Sequence, residues 1–290
     1  HFTTTSGYAY DDIGRQKLDE LYAMVFDAEK ALVRTQFVSG THALATVLFG
    51  LLRPGDTLLS VTGVPYDTMQ TVIGYAHPSP GSLKEFGISY DEVPLQDGRV
   101  DLAVLSQKVT PKTKVALIQR SRGYSLRPPL TMENISQICR TIKAIQPHCV
   151  CFVDNCYGEF VNLTEPIAAG ADIMAGSLIK NPGGGLAPTG GYIAGKAALV
   201  ELAAYRLTAP GMGDELGASL ANNRLLFAGL FLAPHVVSQA MKGAIFAAGV
   251  FSHLGYAVSP AFAERREDII QAIELKSPKK LIAFCRGLQK

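Results

Sequence analysis

Cys151-Phe152-Val153-Asp154-Asn155 is a short apolar run that ends in a carboxylate. Such a run reads as a strand buried on both faces, as in parallel sheets covered by helices. An acid at its carboxyl end falls where ligands bind in sheets of that kind. Leu58 to Val61, Val115 to Ile118, Ile173 to Ala175 and Tyr192 to Ala194 have the same short, buried character. Helical patterns lie between some of them. Leu18, Leu21, Val25 and Ala28 stand at helix spacing behind a cap at Asp11 or Asp12. Ser39-Gly40-Thr41-His42 opens a helix over Ala43 to Leu52, which Arg53-Pro54-Gly55-Asp56 stops, and Met132 to Ile145 is amphipathic. Strands alternating with helices predict an α/β fold, a three-layer α/β/α domain around a mainly parallel sheet.

The pattern changes between Arg206 and Gly213. Pro210-Gly211-Met212-Gly213 reads as a turn or linker, long apolar helices follow, and Gly255 to Val258 and Ile269 to Leu275 are further strands. We therefore expect a large domain over residues 1–209 and the start of a smaller α+β domain over 210–290. The chain opens at His1 rather than Met and stops within a helical stretch, Pro278 to Gln289, so a piece trimmed at both ends is expected.

Bulk composition narrows the function classes. Of 290 residues 48% are hydrophobic and 18% charged, which describes a well-buried globular chain. A net charge of +2 without Lys/Arg clusters gives no reason to expect nucleic acid. The most apolar stretch, Leu225 to Phe251, is broken by Pro234, His235, Gln239 and Lys242, so no membrane span is expected. Cys139, Cys149, Cys151, Cys156 and Cys285 match no zinc spacing; they read as core thiols in a reducing cytoplasm, with no metal site.

Chemistry enters with Lys180, which stands 26 residues beyond Asp154 in Ser177-Leu178-Ile179-Lys180-Asn181-Pro182-Gly183-Gly184-Gly185. A lysine after one strand and an aspartate at the tip of another is what pyridoxal phosphate (PLP) requires. The amine forms a Schiff base with the aldehyde, and the carboxylate keeps the pyridine nitrogen protonated. A lysine between an apolar strand and a glycine turn is expected to be partly desolvated, with a lowered pKa. The glycine run is neither a P-loop nor a dinucleotide fingerprint.

Four segments in order, the tyrosine-rich start, Ser39-Gly40-Thr41-His42, Val64-Pro65-Tyr66-Asp67 and the Asp154–Lys180 pair, carry a resemblance. The chain resembles fold-type-I PLP enzymes of the cystathionine-lyase and methionine γ-lyase group, and more narrowly the branch known as aluminium resistance proteins. The resemblance covers residues 8 to 185 and implies the following roles. Ser39, Gly40, Thr41 and His42 form a phosphate cup at a helix N-terminus. Tyr66 stacks on the cofactor ring and assists proton transfer. Asp154 and Asn155 serve the pyridine nitrogen and its surroundings, Ser177 binds phosphate, and Lys180 is the Schiff-base and catalytic residue. The hydroxyl residue common one place before the lysine is Ile179 here. Tyr10 would reach a partner subunit's phosphate, although the family's Tyr-x-Arg is Tyr10-Asp11-Asp12 in this chain, with Arg15 nearby. Arg122 and Tyr124, in the donor-rich loop Gln119 to Arg127, are candidates for a substrate carboxylate.

The implied function is a PLP-dependent carbon–sulfur lyase acting by β- or γ-elimination on a small amino-acid substrate, as a homodimer or homotetramer. An aminotransferase shares the same apparatus, and a nonenzymatic PLP-fold protein is the alternative from another class. A dinucleotide-dependent dehydrogenase lacks its glycine motif.

Overall fold

A computed structural model describes residues 1–3, 5–8, 12–76 and 79–289. The first half contains α1 (Ile13–Val25), β1 (Lys30–Arg34), α2 (Gly40–Leu51), β2 (Thr57–Ser60), α3 (Asp67–Ile73), β3 (Ser89–Glu92), β4 (Leu95–Gln96), β5 (Arg99–Val100), α4 (Leu102–Lys108), β6 (Thr113–Gln119) and α5 (Met132–Ile145). The second contains β7 (Val150–Asp154), β8 (Ile173–Ser177), β9 (Gly191–Gly195), α6 (Ala197–Leu207), α7 (Asn223–His253), β10 (Ala257–Ser259), β11 (Ala272–Glu274) and α8 (Pro278–Leu288).

Seven strands form one sheet in the order β1-β9-β8-β7-β6-β2-β3. Strands β3, β2, β6, β7 and β8 run parallel, while β9 is antiparallel to both of its neighbours. Side chains alternate between the faces, as strand geometry requires. Cys151 and Val153 of β7 join Leu18, Tyr22, Ile135, Ile138 and Leu230 on one face. Val150 and Phe152 join Leu44, Val47, Leu48, Val200 and Ala203 on the other. The expected three-layer α/β/α architecture is the observed one, with α1, α4, α5 and part of α7 on one side and α2, α3 and α6 on the other.

Several elements depart from expectation. Strands β1 and β3 were not anticipated. Helix α1 ends at Val25, and Ala28 lies outside it, its N–H donating to the Ala23 carbonyl at 2.9 Å. The apolar helices expected after Gly213 are one 31-residue helix, α7, with Pro234 inside it. Helix α7 is long and apolar enough by length and composition to cross a membrane, unlike the broken stretch the sequence suggested; 28% of its most apolar window is buried. Its N-terminal half is a core helix, with Leu226 and Leu230 packed into the main cluster.

The glycine turn after Lys180 has a packing role. A Cβ on Gly184 would lie 2.3 Å from the Gly229 carbonyl oxygen, and one on Gly229 would lie 2.3 Å from that of Gly183. Helix α7 is therefore seated backbone to backbone on the turn that carries Lys180. Strands β10 and β11 form a separate two-stranded sheet, and α8 buries none of its residues.

Candidate active site

A cavity of about 450 Å³ opens beyond the carboxyl ends of the parallel strands. Sheet register creates it: Gln119 pairs with Asp154 and Asp154 with Ala175, so the tips of β6, β7 and β8 end side by side. Gln119, Asp154 and Ser177 line it from these tips, and Lys180 closes it from the turn that follows β8. The opposite wall is the start of α2, with Ser39, Gly40 and Thr41, and of α3, with Tyr66, Asp67 and Thr68. A larger cavity, about 620 Å³, lies beside α1, but its Lys30 is paired to Asp214 at 2.9 Å.

The α2 N-terminus is built by its sequence. Ser39 is in an extended conformation and its Oγ accepts the His42 N–H at 3.1 Å, the standard cap geometry. A Cβ on Gly40 would sit 3.1 Å from Ser177 Cβ and 3.5 Å from Cys156 Sγ, so only a glycine brings the helix end this close to β8 without displacement. Thr41 Oγ1 lies 3.1 Å from the Tyr66 hydroxyl and 3.3 Å from Thr68 Oγ1, which ties the two helix starts together.

Lys180 Nζ lies over the Tyr157 ring, 3.8 Å from its centroid. The sequence led us to expect a lowered lysine pKa; it is raised. Burial alone pulls the ammonium down, but Cys156, Tyr157 and Asp154 around it outweigh that pull. Burial likewise holds the Cys156 thiol well above its usual range. Burial pushes the Asp154 carboxyl up too, opposed first by Lys180, then by the Cys156 N–H donating to Oδ1 at 3.1 Å, and by Arg127. Burial and Asp154 also push the Tyr66 phenol up, so it remains protonated at neutral pH.

The expected site residues divide into two groups. Ser39, Gly40, Thr41, Tyr66, Asp154, Ser177, Lys180 and Tyr124 meet at this cavity. His42, Asn155 and Arg122 are not among its lining. His42 Nδ1 accepts the Val38 N–H at 3.2 Å and its ring packs edge-on to Phe37. Asn155 turns inward: its Oδ1 accepts from Arg120 Nη1 at 2.7 Å, and its Nδ2 donates to Glu165 at 3.0 Å and Tyr192 at 3.3 Å. Arg122 faces an adjoining cavity and donates through Nη1 to Ser259 Oγ at 2.9 Å. Tyr10 lies outside the described residues. Arg15, the other candidate near it, donates to the backbone carbonyls of Gly7, Glu215 and Gly217.

Sequence reasoning missed Cys156 and Tyr157, which line the cavity directly after Asp154. The Tyr157-Gly158 pair was the available signal, since the chain must reverse there, and Tyr157 has φ +70°. Of the thiols, Cys139, Cys149 and Cys151 are core residues as expected, but Cys156 belongs to the cavity and Cys285 is exposed. Among the described residues no cluster has the makings of a metal site.

Beneath the floor lies a buried network. Arg120 pairs with Glu165 at 3.0 Å, and the Tyr192 hydroxyl donates to Glu159 at 2.9 Å. Burial pushes the Glu159 carboxyl up to about 8. Between about pH 4.5 and 8 the unfolded chain has released this proton while the folded chain keeps it, so stability falls across that window and the loss is complete above it. Glu159→Gln should flatten the dependence, gaining on the wild type by up to about 4 kcal/mol between about pH 5 and 8. Urea unfolding of both proteins at the two pH values checks this; parallel profiles would refute it.

A family model for methionine gamma-lyase matches residues 1–290. The chain belongs to the methionine gamma-lyase family. Within that family's relatives, an uncharacterised Bacillus subtilis (strain 168) protein, YnbB, is 51% identical over 291 residues, covering 100% of this chain and 69% of that protein. The crystal structure of a carbon-sulfur lyase involved in aluminum resistance from Clostridium novyi NT superposes with TM-score 0.96 at 50% identity, covering 100% of this chain and 69% of that one. The L-methionine gamma-lyase of Pseudomonas putida is 27% identical over 241 residues, covering 82% of this chain and 51% of the enzyme.

Proposed function

We propose that this chain carries the site of a PLP-dependent carbon–sulfur lyase, acting on a sulfur-containing amino acid by β- or γ-elimination. The observation that carries the reading is that the Lys180 amine, the Asp154 carboxylate and the α2 N-terminus open onto one cavity.

The residues fit the cofactor. A phosphate needs amide donors and a positive helix end, which Ser39-Gly40-Thr41 supplies, with the Ser177 hydroxyl opposite. The close approach at Gly40 leaves that corner free of side chain. Tyr66 offers an aromatic face and Asp154 a buried carboxylate for a pyridinium nitrogen. When bound, PLP supplies an aldehyde for amines and a ring that takes up the electron pair of the substrate α-carbon.

The chain's own residues do the rest. Lys180 holds the cofactor and, when its amine is free and uncharged, takes the α-proton at Nζ. Tyr66, kept protonated, is placed to donate from its hydroxyl toward a departing group. Tyr124, exposed at the mouth, is the substrate-side contact, and Arg122 belongs to the adjoining wall. Assembly as a homodimer or homotetramer is part of the proposal, as is a cytoplasmic setting, supported by four buried unpaired thiols.

The deciding experiment is a visible absorbance spectrum of PLP-loaded protein before and after borohydride, followed by product analysis with thioether amino acids. The proposal expects a reducible visible band and release of thiol, keto acid and ammonia. Transfer of the amino group to a keto acid would make the protein an aminotransferase. Absence of a reducible band would end the PLP reading.

A further inference from the structure

We propose that Tyr157 is a positioning residue for Lys180: its ring face holds the amine above the cavity floor whenever the lysine has no covalent partner. The inference deepens the lyase reading, in which Lys180 must alternate between bonded and free states.

The contact itself is direct. Lys180 Nζ is 3.8 Å from the Tyr157 ring centroid, where an ammonium meets the negative face of the π-system. Both residues line the cavity, so the amine rests beside the space a substrate would enter. Asp154 attracts the amine toward the tip of β7. The ring adds a surface that fixes its height and direction, which a carboxylate alone does not.

The ring is mounted with unusual care for a loop residue. Tyr157 has φ +70°, a left-handed backbone that a bulky side chain adopts only when its surroundings impose it. The Gly158 N–H donates to the Asn155 carbonyl at 3.0 Å, and the Tyr157 carbonyl accepts the Ile269 N–H at 3.2 Å. Gly158 packs against the Arg120 guanidinium, 2.6 Å from where its Cβ would be, and that guanidinium is fixed by Asn155 and Glu165. Asn181 Nδ2, from the residue after Lys180, donates to the Glu159 carbonyl at 2.9 Å. The ring and the lysine are thus clamped to one another through Glu159 and Asn181, independently of the contact between their side chains. The same clamp gives the buried Arg120–Asn155–Glu165 network a purpose that the sheet does not require.

The test needs neither cofactor nor activity. The full chain, cofactor-free and labelled with 13Cε-lysine, is titrated by NMR, and the Lys180 signal is assigned by its loss in Lys180→Ala. In the wild type the ε-protons of Lys180 should be shifted upfield of exposed lysines such as Lys17 and Lys84 by the ring current. Tyr157→Phe keeps the face and should keep the shift. Tyr157→Leu and Tyr157→Met remove the face: the signal should move to the ordinary lysine position. The amine should then lose its preference for the charged form by roughly two- to thirty-fold, the worth of a cation–π contact at about 1.4 kcal/mol per tenfold. Two apolar variants are used so that one folded protein suffices, and a merely structural role would alter thermal stability without moving this signal. An unshifted Lys180 in the wild type, or one unmoved in the folded Leu or Met variant, overturns the proposal. Because the titration uses no PLP, its outcome is separate from that of the absorbance experiment.

Discussion

Lys180→Ala should abolish the borohydride-reducible band and lower elimination by at least about 10²- to 10⁴-fold, the usual worth of a positioned acid–base group, with covalent anchoring lost as well. The fold should survive. The lysine side chain lines the cavity, and α7 is seated on the turn through the close backbone approach of Gly184 and Gly229. Its removal strips Asp154 of the cation that most opposes burial, so the Asp154 carboxyl should take up a proton more readily in the variant. Absorbance after borohydride, together with far-UV circular dichroism, checks both halves. A persisting reducible band would assign the attachment to another lysine.

Asp154→Asn should separate attachment from turnover. The carboxylate stands buried at the tip of β7, and an amide there cannot keep a pyridine nitrogen protonated. Loss of an electrostatic partner of this kind is expected to cost about 10²- to 10³-fold in kcat. The same change removes one of the influences that raise the Lys180 pKa, so more of the amine is neutral at a given pH and attachment should persist or quicken. Unfolding would depress both quantities together. The rate of band formation and kcat, measured on the same preparations, distinguish these outcomes, and an undiminished kcat would remove Asp154 from its proposed role.

The parts of the fold that were legible in sequence are those with strong local pattern. Helix α5 runs from Met132 to Ile145 as expected, because its apolar residues keep one stripe and Thr131 with Asn134 forms a capping box. Strands β6, β7 and β8 are continuous apolar runs and were found; β1 is three apolar residues between Lys30 and Arg34, too short to stand out. The antiparallel direction of β9 is set by how the chain returns across the sheet, which no local pattern records. At the site, the residues at strand tips and helix starts were readable, since caps and tips fix where side chains point. The Arg122 contact with Ser259 was not readable because that partner lies 137 positions away. The inward turn of Asn155 was not readable: alternation at a strand end sends neighbours to opposite sides, and the next residue after Asp154 faces the Arg120 network. The rise in the Lys180 pKa was hidden for the same reason: Cys156 and Tyr157 return to the amine only after the chain has turned.

Asp268 bears on how this protein can be taken apart. Its Oδ2 accepts from Ser121 Oγ at 2.8 Å and from the Arg122 N–H at 3.1 Å, while the neighbouring Ile269 N–H holds the Tyr157 carbonyl. A stretch far along the chain thus acts as a keystone under two loops that rim the cavity. Recombination between relatives must exchange the 119–127 loop, the 154–160 loop and the 266–270 stretch as one inherited unit. A crossover placed near residue 210 would join a cavity to a keystone cut for another arch.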